Sequence, residues 1–121
     1  MTLAFLRAYK IVKKAEWTSQ MGRVPPRFTG AGIDIADGYI HMSRANQVKD
    51  TATKFFSGQN DVMLVAVSLG DIKHGEVRWE VASNDEMYPH LYGGWIDLDC
   101  IVWTTDLPWT PTGFVYPIEI K

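Results

Sequence analysis

Residues 62 to 69, Val-Met-Leu-Val-Ala-Val-Ser-Leu, constrain the fold more than any other stretch. The run is apolar almost throughout, rich in valine, and bounded by Gly58 and Gly70. A strand without polar alternation has no face to give to water, so it predicts a strand covered on both sides and central in a sheet. The rest of the chain must supply edge partners for it and cover for both faces.

Partners are legible on either side. Residues 3 to 12 read as a first strand with its core at Tyr9 to Val12. Tyr39 to Met42 is a short second strand, with Tyr39 and His41 on one face and Ile40 and Met42 on the other. In Glu76 to Val81, Val77, Trp79 and Val81 point one way, and Glu76, Arg78 and Glu80 the other. Asp99 to Thr105 is a further strand. Phe114 to Ile120 is a last one, at an edge because Pro117 has no N–H for a ladder. Two helices complete the set. Lys13 to Met21 carries Ala15, Trp17 and Met21 and stops at Gly22. Ser43 to about Ser57 buries Ala45, Val48, Ala52, Phe55 and Phe56, with Ser43 as N-cap and Gly58 as stop. Residues 22 to 38 and 83 to 95 read as long loops. Strands and helices do not alternate after residue 60, so the fold class expected is α+β: a small split or mixed sheet of about six strands with two helices.

Composition narrows the function. A chain of 121 residues with 46% apolar and 12% aromatic residues makes one domain, residues 1–121, with a core that needs no disulfide. Cys100 has no partner cysteine and lies in the apolar run Cys100-Ile101-Val102-Trp103, where a buried, inert thiol is expected. The net charge of −2 and the absence of a basic tract argue against duplex nucleic acid as partner. No apolar stretch approaches the roughly 18 residues of a membrane span. Arg7 and Lys10 interrupt the N-terminal segment, so no signal peptide is expected; the expected location is cytoplasmic, without a membrane partner.

Three places can carry chemistry. His41, on a strand ahead of a helix, suits contact with a ligand's hydroxyl or anion, or is a histidine satisfied at the core margin. Ser43 beside it either caps the helix or, with the helix N-terminus, holds an anion. The second place is Tyr88-Pro89-His90-Leu91-Tyr92-Gly93, read as an aromatic loop that either lines a pocket or packs over the sheet end. In the third, Arg78-Trp79-Glu80, Arg78 and Glu80 share a face; they form a surface ion pair, or Glu80 serves as a base or hydroxyl acceptor. Arg23 and Arg27 in the 22–38 loop are solvated charge or cations on a flap. The three histidines are far apart in sequence and the cysteine is single, so no metal site is expected.

These same segments carry a family resemblance. Asp37-Gly38-Tyr39-Ile40-His41-Met42-Ser43, the helix from Gln47 to Phe55, the Val62–Val67 strand, Arg78-Trp79-Glu80 and Pro89-His90-Leu91-Tyr92-Gly93 together resemble the bacterial family known as domain of unknown function 952, from about residue 8 to residue 108. That family is grouped with the ADP-ribosyltransferase-like fold. The resemblance implies a split sheet with a cleft for NAD, as substrate, or another nucleotide-type small molecule. His41-Met42-Ser43 is similar to the strand ending of the tRNA 2′-phosphotransferase branch. The chain departs from the group's pattern in two ways. Ala8-Tyr9-Lys10 stands where a His-Gly pair opens the site, and no glutamate opens a late strand.

Taken together, the expected function is that of an ADP-ribosyl- or phosphotransferase-like enzyme. His41, Glu80 and His90 would be its catalytic residues, and Tyr39, Ser43, Arg78, Tyr88 and Tyr92 its ligand contacts. The alternative is a module on the same fold that binds a nucleotide, a metabolite or a partner without chemistry.

Overall fold

In the computed structural model, which describes residues 6–120, the apolar run forms β3 (Val62–Ser68). It lies between β1 (Arg7–Lys13) and β6 (Ile101–Asp106), antiparallel to both. Its first six residues are buried on both faces, as a strand without polar alternation requires. On one face Leu64 and Ala66 join Tyr9, Ile11 and Leu107 against Val48 and Ala52 of helix α3 (Val48–Phe56). On the other, Met63, Val65 and Val67 join Ala8 and Val12 against Ile40, Met42, Leu91 and Ile96.

Ile40 and Leu91 belong to a second three-stranded sheet, ordered β2 (Ile40–His41), β5 (Met87–Tyr92), β4 (Glu76–Val81). All of its pairs are antiparallel as well. Its inner face gives Ile40, Leu91, Val77 and Trp79 to the core, and its outer face carries the polar and aromatic side chains. Two backbone hydrogen bonds of 2.8 Å join the sheets where Tyr9 meets Ser43. Outside the named strands, an isolated bridge pairs Phe28 with Ile96. The fold is α+β and its sheet is split, but every strand pair is antiparallel, so the mixed sheet is corrected.

Several expectations are revised. The first strand runs Arg7–Lys13, and the part expected at residues 3–5 lies outside the described residues. Helix α1 (Lys14–Met21) ends at Gly22 as read, but Trp17 is its buried member and Ala15 is exposed. The 22–38 segment contains a one-turn helix, α2 (Ile33–Asp37), closed by Gly38 at φ 84°, too short for its period to register.

Ser43 does not cap a helix. Its backbone is engaged by Tyr9, and its hydroxyl donates to Thr51 at 3.2 Å. A 3₁₀ turn at Ala45–Gln47 comes first, and the Gln47 side chain accepts the Arg44 N–H at 2.9 Å. Phe55 is 50% exposed, because the buried stripe runs Val48, Ala52, Phe56 at four-residue spacing and leaves Phe55 a hundred degrees away. Val81, at the end of β4, is likewise exposed rather than core.

The largest correction concerns residues 83–95. Met87–Tyr92 is not a loop but β5, the middle strand of the second sheet. A hairpin turn from Ala82 to Glu86 feeds it, with Asp85 at φ 64°. Pro89 survives in a central strand because its carbonyl still accepts the Met42 N–H at 3.1 Å; its missing N–H ends the β2 ladder at that point. At the C-terminus, the expected 114–120 strand is a small hairpin of β7 (Trp109–Thr110) and β8 (Gly113–Phe114) followed by irregular chain. Cys100 is buried, and burial pushes its thiol above its ordinary value, which suits the inert reading.

Candidate functional site

Strand register brings the two sequence candidates together. β2 pairs with β5 so that His41 stands directly opposite His90. Their ring centroids are 5.2 Å apart. Tyr39, just ahead of β2, lays its ring 4.5 Å from that of His41, 4.4 Å from His90 and 4.8 Å from Tyr92. Alternation along β5 puts Tyr88, His90 and Tyr92 on one face, and β4 contributes Arg78 and Glu80 to that face through Arg78↔His90 and Glu80↔Tyr88.

A cavity of about 600 Å³ opens beside this face, where β1 and β2 diverge beyond the Tyr9–Ser43 bridge. Tyr9 turns both its N–H and its C=O to Ser43. Strand alternation therefore turns the N–H and C=O of Ile11 the same way, toward the cleft and away from β3. Tyr39, His41, Ser43, Tyr88 and His90 line the cavity. Glu80, Tyr92 and Arg78 do not; they stand behind His90 and Tyr39 on the same sheet face.

Glu80 is bonded to two of its neighbours. One of its oxygens accepts the Tyr92 hydroxyl at 2.5 Å and His90 Nδ1 at 2.8 Å. These bonds, Tyr92 first, hold its carboxyl below the ordinary value. The same carboxylate pushes Tyr92 up to about 12. Because an ionised carboxylate only accepts, the contacting proton lies on Nδ1 of His90, and Nε2 is free to act elsewhere. Arg78 does not pair with Glu80 as expected. It meets Glu76 at 3.2 Å and lies over the Tyr92 ring, 4.3 Å from its centroid. The Tyr88 hydroxyl accepts from Asn84 at 2.7 Å.

Three residues, Asp34, Lys10 and Asp37, were missed by the sequence reading. Asp34, on α2, buries its carboxylate beneath His41. It accepts His41 Nδ1 at 2.7 Å, the His41 backbone N–H at 2.9 Å and the Ala31 N–H at 3.0 Å. Lys10 projects from β1 into the space between the sheets and meets both Asp34 oxygens, at 3.0 and 2.7 Å. Burial works to raise Asp34, but the His41 bonds and the Lys10 charge outweigh it and leave the carboxyl below its ordinary value. Burial pulls Lys10 below its own, against the opposing pull of Asp34. Asp37, at the end of α2, reaches His41 Nε2 at 3.0 Å. The available signals were a lysine inside the apolar strand Ala8-Tyr9-Lys10-Ile11-Val12 and an aspartate inside Ile33-Asp34-Ile35-Ala36.

Tyr39 is surrounded by this charge. Burial first, then Asp37, Glu80 and Asp34, push its hydroxyl above the ordinary value. Arg23 and Arg27 do not line the cavity, and Arg27 lies 4.2 Å over the Trp95 ring instead. Among the described residues no group of three His, Cys, Asp or Glu is placed to hold a metal ion. None of their helices is long and apolar enough to cross a membrane. The arrangement offers an aromatic platform and a histidine pair in the wall of one cavity, with the carboxylates of Glu80 and Asp34 behind the two rings.

The family profile for a protein of unknown function, DUF952, matches residues 11–104, most of the chain and every site residue except Lys10. The chain belongs to the DUF952 family. Among solved structures the chain is similar to CC0527 from Caulobacter crescentus, whose X-ray structure is 32% identical, with 89% of this chain and 91% of that one covered and a TM-score of 0.78. A double variant of CC0527 gives the same values. The solution structure of CC0527 is 33% identical, with 89% and 90% covered and a TM-score of 0.70. No curated protein matches the chain.

Proposed function

We propose that this DUF952 protein is a small ADP-ribosyltransferase-like enzyme whose cleft takes NAD or a related nucleotide-type ligand. The single observation that carries the reading is the β2–β5 register, which sets His41 against His90 in the wall of a cavity of about 600 Å³, with Tyr39 across both rings. Such a volume suits a small organic ligand. Tyr39 and Tyr88 supply flat apolar surface for a base or ring. His41 and His90 supply hydrogen bonds to ribose hydroxyls or to phosphate, and the edge groups of Ile11 can pair with an amide. Lys13 and Lys54, in the same wall, suit a phosphate.

In the chemistry, the bond between the ribose anomeric carbon and nicotinamide breaks with its electron pair leaving on nicotinamide, a positive oxocarbenium-like centre develops, and water or an acceptor hydroxyl bonds to that carbon and gives up its proton. A carboxylate held ionised stabilises such a centre electrostatically. Glu80 has that state, and it acts on the cavity through His90 Nδ1, so His90 is the group that meets the ligand.

One observation favours the second reading, a binder without chemistry. Lys10 stands where the group's pattern has its first-strand site, and its ammonium is occupied by Asp34. Incubation with NAD separates the two. Free nicotinamide is the result expected of the enzyme; a raised Tm without product would assign the binder. Neither effect would remove both.

A further inference from the structure

The buried Lys10–Asp34 pair has a beneficiary. A buried ion pair is a poor way to stabilise a core, since apolar side chains of the same size do as well or better. Yet its hydrogen bonds converge on one residue. Asp34 Oδ1 accepts both the backbone N–H and Nδ1 of His41, at 2.9 and 2.7 Å, and Lys10 Nζ donates to the His41 carbonyl at 2.9 Å. His41 is gripped at three atoms, and among the described residues the one further group on the Asp34 carboxylate besides Lys10 is the Ala31 N–H. β2 is only two residues long and pairs with β5 on one side; on its other edge the His41 N–H and C=O meet Asp34 and Lys10 rather than a strand, so its ladder alone fixes His41 weakly. The pair supplies what the ladder lacks.

From this geometry we infer that Asp34 is a positioning residue for His41, with Lys10 as its fixed countercharge. Asp34 keeps the proton on Nδ1 and aims Nε2 at the ligand side. The carboxylate accepts and cannot donate, so the proton in the 2.7 Å contact belongs to Nδ1. Nε2 is then the ring atom that can change partner: it faces Asp37 Oδ2 at 3.0 Å, where a ligand group can take the place of that carboxylate. Asp37 is about half exposed at the tip of a one-turn helix, so a ligand group can displace it from Nε2 without disturbing Asp34. The arrangement resembles the orienting carboxylate behind a functional imidazole, here with a buried lysine behind the carboxylate. It rests on the reading of His41 as a ligand-contacting residue.

Long-range ¹H–¹⁵N NMR of the histidine side chains tests this on the unaltered protein. The expected spectrum has His41 Nδ1 protonated throughout the range in which the protein is folded. A His41 ring carrying its neutral-form proton on Nε2 overturns the assignment. The paired variant Lys10→Met/Asp34→Leu removes charge and countercharge together; Asp34→Asn is the milder change if that variant fails to fold. Either is expected to lose or shift the Nδ1 proton signal of His41 while that of His90 stays in place. An unchanged His41 ring in a folded variant also overturns it. Titration of the wild type with NAD separates the two levels. Absence of binding removes the ligand reading and leaves the ring state to be judged on its own spectrum.

Discussion

Replacing Asp34 by alanine is expected to cost far more than deleting the whole polar pair. The Lys10 side chain is 7% exposed and that of Asp34 1%. Truncating Asp34 strands an ammonium whose remaining acceptor among the described residues is the His41 carbonyl, and takes the acceptor from the N–H groups of Ala31 and His41. Breaking a buried pair in this way costs about 3–5 kcal/mol. A domain of this size has about 5–15 kcal/mol in total, so the loss is a large share. Lys10→Met/Asp34→Leu removes both charges and keeps the volume, and it is expected within about 1–2 kcal/mol of wild type. With a urea slope of about 2 kcal/mol/M, the single variant moves the unfolding midpoint by roughly 1.5–2.5 M and the double by less than about 1 M. Acid adds a sign. The folded carboxyl of Asp34 lies below its ordinary value of 3.8, so its stabilisation is complete above that pH and is lost as pH falls through the folded value. Asp34→Ala should flatten that part of the acid unfolding curve. Tryptophan fluorescence in urea, with equal slopes for the three proteins, is the assay. An Asp34→Ala cost below about 1 kcal/mol, or a double variant no more stable than the single, would refute the reasoning.

Other outcomes follow from the same contacts. Tyr92 keeps its proton to about 12 because Glu80 accepts it, so ultraviolet titration of Glu80→Gln should return one tyrosine toward 10.0; an unchanged curve contradicts the bond. The folded tyrosine binds its proton more tightly than the unfolded one, so its contribution is full below pH 10 and is lost toward pH 12. Leu64→Ala, at a fully buried site in the central strand, is expected to cost about 2–5 kcal/mol in the same urea assay. Gly94→Ala would drive a Cβ into the His74 carbonyl and the Gly75 backbone, and is expected to cost at least about 2 kcal/mol, whereas Phe55→Ala should stay within about 0.5 kcal/mol.

What the sequence made legible was local pattern. The 62–69 run marked the central strand because burial on both faces leaves nothing polar to write. The alternation of Tyr39-Ile40-His41-Met42 correctly sent Ile40 and Met42 inward and His41 outward. Tyr88, His90 and Tyr92 alternate as well, but Pro89 and Gly93-Gly94 spoke louder, and β5 was read as a loop. A proline that loses its ladder partner just where that partner strand turns away costs little, and this is a fact of topology rather than of composition. Lys10 and Asp34 escaped for the same reason. Each is an isolated charge in an apolar run, and only the crossing of β1 and α2 shows that each answers the other. Ser43 has the composition of a cap, and tertiary pairing with Tyr9 took its backbone elsewhere.

The most direct test of a shared ligand cleft is a two-dimensional NMR titration of labelled protein with NAD, ADP-ribose and a 2′-phosphorylated nucleotide, followed over time. One cleft predicts that the shifted amides cluster on 39–43, 88–92 and the 11–13 edge of β1, with nicotinamide resonances growing in if the bond is cleaved. No shift with any of the three at millimolar concentration, or shifts confined to another face, would contradict it.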